Sequence, residues 1–147
     1  MRFVRVAAVA IILFSVAGCS GSKVFLNFSS PDGTPLRDGE VIVRYGYITE
    51  LVRDPSGVMS PRVSTVSERF PGCESSVSFE PPGEIMYIAV DAIYPRHIPL
   101  RFRIERAAAD APRLYELSEI DPQYIPSDLT VVGEKRRVSV SATLRFP

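Results

Sequence analysis

The chain has 147 residues, with 17 basic and 17 acidic side chains and a formal charge of zero. That balance excludes a protein that wraps nucleic acid, which needs surplus positive charge. Hydrophobic residues make up 46%, enough for a packed core, so wholesale disorder is excluded too. The 13 Pro and 9 Gly favour many turns over long helices.

The first element is MRFVRVAAVAIILFSVAGC, in which Arg2 and Arg5 precede an uncharged apolar run from Val6. The run is shorter than the roughly 20 residues that cross a bilayer, so it reads as a secretory signal. It closes on Val16-Ala17-Gly18-Cys19. Charge, apolar run, small residues and Cys, in that order, resemble the lipobox of bacterial lipoproteins. The resemblance implies that residues 1–18 are removed and that Cys19 becomes the acylated first residue. It implies a cell-envelope location, tied to a membrane through the N-terminal lipid. Ser20 in place of Asp implies the outer membrane, facing the periplasm, in a cell with two membranes. An ordinary signal peptide or an uncleaved anchor would also leave the rest of the chain outside the cytoplasm. Residues 19–22 then form a short lipidated tether, and residues 23–147 form the domain. With Cys19 acylated, only Cys73 remains, and one thiol closes no intrachain disulfide.

The mature chain reads as β-structure. Val24, Leu26 and Phe28 share one face of a first strand. Pro31-Asp32-Gly33 and Arg37-Asp38-Gly39 are turn signals. Val41, Val43 and Tyr45 mark a second strand, with Gly46 the place for a bulge or bend. Leu51-Val52 and Val63–Val66 are short strand candidates around an Asp54–Gly57 turn, and Pro61 argues against a central strand there. Val77 and Phe79 alternate, and Pro81-Pro82-Gly83 reads as a hairpin turn. Glu84–Ala92 is apolar on both faces, as a central strand requires. Ile98, Leu100, Phe102 and Ile104 line the next strand after a Tyr94–Arg96 turn. Residues 106–119 suggest a helical turn or two, and residues 120–129 read as irregular. Val138, Val140, Ala142, Leu144 and Phe146 form the apolar face of the last strand.

Six or seven strands with almost no helix must cover each other as two sheets. The expected fold is all-β: a seven-stranded transthyretin-like or Ig-like β-sandwich with a small irregular or helical insertion at 106–129. Asp32, Gly33, Pro35, Leu36, Gly39, Glu40 and Val41 resemble the turn-and-strand pattern of transthyretin-like and carboxypeptidase-regulatory domains. Ala92-Ile93-Tyr94-Pro95 stands where that family carries a Gly-Tyr-x-Pro turn. The resemblance implies a binding, spacing or assembly module, some relatives being outer-membrane lipoproteins of secretion machines. One enzyme group of the family hydrolyses a purine-degradation intermediate with several His and a C-terminal Tyr-Arg-Gly-Ser. This chain has one His and ends Leu-Arg-Phe-Pro.

The chemistry-bearing residues are sparse. His97 and Cys73 are too few for a zinc site, so neither metal nor cofactor is expected. No Gly-x-Ser-x-Gly elbow accompanies His97, and residues 54–57 lack the spaced acidic ligands of a calcium loop. Glu40, Glu84, Asp91 and Glu105 are the candidates for an acid/base pair in a hydrolase. Arg101 and Arg103 project from one strand, and Arg136 and Arg137 adjoin the last. If those strands are neighbours, they make a basic patch. Tyr115, Leu117 and Tyr124 supply apolar area in the 106–129 segment, either to dock a partner or to cap the sandwich. The expected function is a non-enzymatic, lipid-anchored binding or assembly module with an envelope protein partner and no nucleic acid. The alternatives are a carbohydrate- or small-ligand-binding accessory lipoprotein, a secretion-machine outer-membrane lipoprotein, and a hydrolase using paired carboxylates.

Overall fold

The structure is a computed structural model that describes residues 21–134 and 136–147. Cys19, the proposed acylation site, and the signal segment 1–18 lie outside the described residues. Nine strands run through the described chain: β1 Lys23–Ser29, β2 Gly39–Arg53, β3 Met59–Cys73, β4 Ser76–Phe79, β5 Ile85–Ile93, β6 Leu100–Arg106, β7 Tyr115–Ile120, β8 Leu129–Glu134 and β9 Arg137–Thr143. They form a four-stranded sheet in the order β4-β1-β9-β8 and a five-stranded sheet in the order β3-β2-β5-β6-β7.

The two-sheet all-β arrangement is the expected one, with more strands than the six or seven read from the sequence. The 106–129 segment is no helical insertion. It contains β7, which extends the five-stranded sheet beside β6, and a single 3-10 turn at Pro126–Asp128. Pro81–Gly83 is not a hairpin turn either. It carries the chain from β4 in one sheet to β5 in the other.

The period-2 faces meet where the pattern put them. Val24, Leu26 and Phe28 of β1 and Val138, Val140 and Ala142 of β9 are buried, as are Val41, Val43 and Tyr45 of β2 and Leu100, Phe102 and Ile104 of β6. Leu144 follows them inward, whereas Phe146 lies past the last ladder bond, exposed and stacked on His97. The irregularity expected at Gly46 is a bulge shared with β5. Gly46 faces Tyr87, but Tyr47 faces Ile85, which leaves Met86 as the extra residue. The bulge turns both Ile85 and Ile88 inward and swings Tyr87 onto the outer face.

β2 and β3 are each 15 residues long, and β5 accompanies β2 only as far as Tyr47. Beyond that point the two strands continue as a free hairpin arm closed by the Asp54–Gly57 turn. The Asp54 carboxylate accepts hydrogen bonds from the Ser56 and Val58 N–H groups at 2.9 Å and from the Ser56 hydroxyl at 2.5 Å. Pro61 and Pro71 both fall on β3, an edge strand, where a missing N–H leaves no ladder bond unmade on the solvent side.

Candidate functional site

The outer face of the five-stranded sheet carries a trough of about 460 Å³. Strand register explains it. One row across the sheet reads Ser67, Arg44, Ala89, Arg103 and Glu119, each opposite the next on adjacent strands. The neighbouring row contains Ile42, Asp91 and Arg101. The Ala89 methyl group is the low point, with Arg44 on one side and Arg103 on the other. Asp121 and Pro122, just past β7, close the far wall.

The trough combines charged walls of both signs with apolar lining from Ile42, Ala89, Ile120 and Pro122. Arg101 Nε is 2.8 Å from Asp91 Oδ1, and Arg103 Nε is 2.8 Å from Glu105 Oε1. The Arg103 guanidinium also lies 4.2 Å above the Tyr87 ring. Arg44 is exposed and makes no ion pair among the described residues. Arg101 and Arg103 are therefore in one site, as their shared strand face implied. Arg136 and Arg137 are not in it. They adjoin β9 in the other sheet, and the Arg137 guanidinium covers Phe25 there at 4.6 Å. The four-arginine patch fails because β6 and β9 are not neighbours.

The tyrosines expected at a docking surface are turned inward. Tyr115 is 3% exposed, and its hydroxyl donates to the Ile85 carbonyl oxygen at 3.4 Å. Tyr124 is 3% exposed and bridges the two sheets through its hydroxyl. Burial pushes both phenol pKa values above their ordinary range. Leu117 is half-buried against the core. Tyr115 and Tyr124 close opposite ends of the sandwich, and Leu117 lies between them against the core. Ile120, by contrast, reaches the trough wall.

The remaining polar candidates are tied up locally. Glu40 pairs with Arg69 at 2.8 Å, Glu84 with Arg106, Asp91 with Arg101 and Glu105 with Arg103, so each carboxylate expected of an acid/base pair has its own arginine. Cys73 is half-buried, with Sγ 3.5 Å from the Tyr94 hydroxyl, and that hydroxyl donates to the Glu74 carbonyl oxygen at 2.5 Å. Desolvation raises the Tyr94 phenol pKa. No group of three or more His, Cys, Asp or Glu able to hold a metal occurs among the described residues.

One juxtaposition was not visible in the sequence. His97 Nε2 lies 2.9 Å from the Ser30 hydroxyl, 67 residues away in the chain, and His97 Nδ1 lies 2.9 Å from the Pro95 carbonyl oxygen. The Ser30 hydroxyl is also 2.9 Å from Asp32 Oδ1, which competes for its single proton. Ser30 is 6% exposed, so it offers little surface to a substrate. The contact fastens the turn after β1 to the β5–β6 turn.

No protein-family model matches the chain, and no curated protein does. Among solved structures, it matches one described as the dioxygenase domain of a dioxygenase carbohydrate-binding protein fusion from the cellulolytic bacterium Streptomyces sp. SirexAA-E. The identity is 16%, over 86% of this chain and 79% of that one, with a TM-score of 0.37. A likeness at that level carries no argument about fold family or function.

Proposed function

We propose that this protein is a non-enzymatic binding or assembly module, held at the cell envelope by a lipid on Cys19, which docks an envelope partner in the trough of its five-stranded sheet. The observation that carries the reading is the convergence of Arg44, Arg101 and Arg103 around the Ala89 floor, with Asp91, Glu119 and Asp121 interspersed. Such a mixture suits a partner surface that alternates acidic and basic groups, where charge complementarity sets specificity and orientation. Arg44 is the free cation of the set and the contact that an incoming carboxylate would take. The lipobox order of residues 1–19 supports the anchor, and the Asp32–Val41 and Ala92–Pro95 patterns support a transthyretin-like module.

The carbohydrate- or small-ligand reading has one observation in its favour, the trough volume, which falls within the range of small-molecule sites. Against a sugar platform stands Tyr87, the aromatic ring on this face near the trough among the described residues, which is covered by Arg103 rather than open to stacking. The test is recovery of partners from membranes with the full chain, wild type against Arg44→Ala and Arg101→Ala. Loss of a specific protein with unchanged melting temperature supports docking in the trough. Unchanged recovery, with a soluble glycan instead raising the melting temperature of the wild type but not of the variants, replaces it by the ligand reading.

A further inference from the structure

The free part of the β2–β3 arm carries apolar side chains that the sandwich does not use. Met59, Pro61 and Val63 alternate on one side of β3, and Leu51 lies opposite Pro61 on β2, with Ile48 opposite Val63. Leu51 is 61% exposed, Val58 at the turn 58% and Met59 48%. The other side of the arm carries Arg62 and Glu50, paired at 2.9 Å, and Ser60, with Val52 opposite Ser60 as its one apolar side chain. An isolated hairpin with a one-sided apolar stripe leaves that stripe in water unless something covers it.

The occupant follows from where the arm starts. Ser22 N–H donates to the Pro81 carbonyl oxygen at 2.9 Å, and the Ser22 hydroxyl donates to the Gly83 carbonyl oxygen at 2.8 Å. Ile48 N–H donates to the Glu84 carbonyl oxygen at 2.8 Å. Gly83 packs against the Ile48 carbonyl so closely that any Cβ there would collide with it. The start of β1 and the base of the arm therefore share one short segment, at one end of the sandwich. β1 runs away from that end, whereas β2 runs toward it and continues past it.

Lengths then decide the geometry. Three residues from Cys19 to Ser22 span at most about 10 Å. Thr49–Arg53 alone extends about 16 Å at the rise of a strand, before the turn is added. A domain tethered by a lipid at Cys19 has an arm longer than its tether, pointing to the tethered side.

We propose that the β2–β3 arm is a second membrane contact, which lays its Leu51, Met59 and Val63 stripe, with Val58 at the tip, into the interface of the bilayer that holds the Cys19 lipid. The proposal rests on the anchor reading given above. Insertion is shallow, because β3 is an edge strand whose outer N–H and C=O groups need water, and these have no partner in the hydrocarbon region. Hydrogen bonds from Ser56 and Val58 hold the Asp54 carboxyl below its ordinary pKa, so the turn stays charged and at headgroup depth. Arg53, opposite Met59, is placed for lipid phosphate while its stem lies along the apolar side. Leu114 and Arg113, in the β6–β7 loop at the same end, add a second point of contact. Two contacts and one short tether fix the tilt of the domain, and with it the direction in which the trough faces.

The test uses the full chain purified in detergent and reconstituted into phosphatidylethanolamine–phosphatidylglycerol vesicles, in a Cys73→Ser background. A polarity-sensitive fluorophore is attached through Leu51→Cys, Met59→Cys or, as the opposite-face control, Ser60→Cys. Intact mass reads acylation at Cys19 independently. The expected result is blue-shifted emission at positions 51 and 59, quenched by shallow brominated lipid, with position 60 remaining in water. Labels equally wet at all three positions overturn the arm proposal, whichever way the mass falls. A mass without an acyl adduct overturns the anchor reading, whatever the labels show. A blue shift that persists without vesicles and grows with protein concentration assigns the stripe to a second copy of the chain and overturns the membrane contact.

Discussion

The Tyr124 hydroxyl donates a 2.8 Å hydrogen bond to the Ile98 carbonyl oxygen, in the segment leading into β6, and accepts one at 3.3 Å from the Arg145 N–H that follows β9. One buried phenol thus joins the two sheets at the end remote from the arm. Tyr124→Phe keeps the ring and leaves two backbone groups unpaired, so it should lower stability by about 1–3 kcal/mol. Tyr124→Ala also opens a cavity and should cost about 3–5 kcal/mol. Urea midpoints of the two variants check the order.

At the opposite end, the Tyr115 ring lies directly over Gly133 of β8, so closely that a Cβ at 133 would meet the ring edge. Gly133→Ala must displace a buried ring and should cost about 1–3 kcal/mol, although alanine is ordinarily a harmless exchange on a strand. In the Tyr115→Ala background the same change should be nearly free. A double-mutant cycle by denaturant titration reads that coupling.

Alkaline pH should destabilise the domain in a defined window. Desolvation, and donation to Glu68 Oε1 at 3.1 Å, push the Tyr45 phenol up to about 12, against 10.0 for an unhindered tyrosine. The unfolded chain therefore releases this proton near pH 10 while the folded chain keeps it to about pH 12. Stability is full below pH 10 and falls as pH rises through 12. Burial shifts Tyr94, Tyr115 and Tyr124 in the same direction. Tyr45→Phe should flatten this decline, measured as urea midpoints at several pH values across the window.

Adjacent residues of β9 should respond oppositely to the same charge. Val140 is buried between the sheets, and Val140→Asp should cost several kcal/mol or prevent folding. Ser141 faces solvent on the other side of the strand, so Ser141→Asp should stay within about 0.5 kcal/mol. Thermal melts of both variants decide it.

Strands with one face in and one face out were legible, because half-burial writes a period-2 pattern. β1, β2, β6 and β9 are of that kind. β3 was not, because an edge strand that leaves the sandwich has no buried face along much of its length. Its Pro61 argued against a central strand, although an edge tolerates proline. β7, with Glu116, Ser118 and Glu119 among its six residues, hid behind an Ala-rich approach that suggested helix. The trough was legible only in Arg101 and Arg103. Arg44 joins them through the pairing of β2 with β5, and Ser30 meets His97 across 67 residues; neither proximity is encoded in any local pattern. The same gap left open whether Arg136 and Arg137 adjoin Arg101.

β1 lies parallel to β9, from Lys23 opposite Arg137 to Ser29 opposite Thr143. The first strand of the domain is thus completed by the last. The five strands of the larger sheet, β3 beside its hairpin partner β2 and then β5 to β7, find their neighbours within a modest stretch of chain. The smaller sheet cannot close until residue 143 has arrived, and closing so long a loop is slow. A chain emerging N-terminus first would therefore hold β1 without its β9 neighbour until nearly every residue is present, so the second layer is the last to lock.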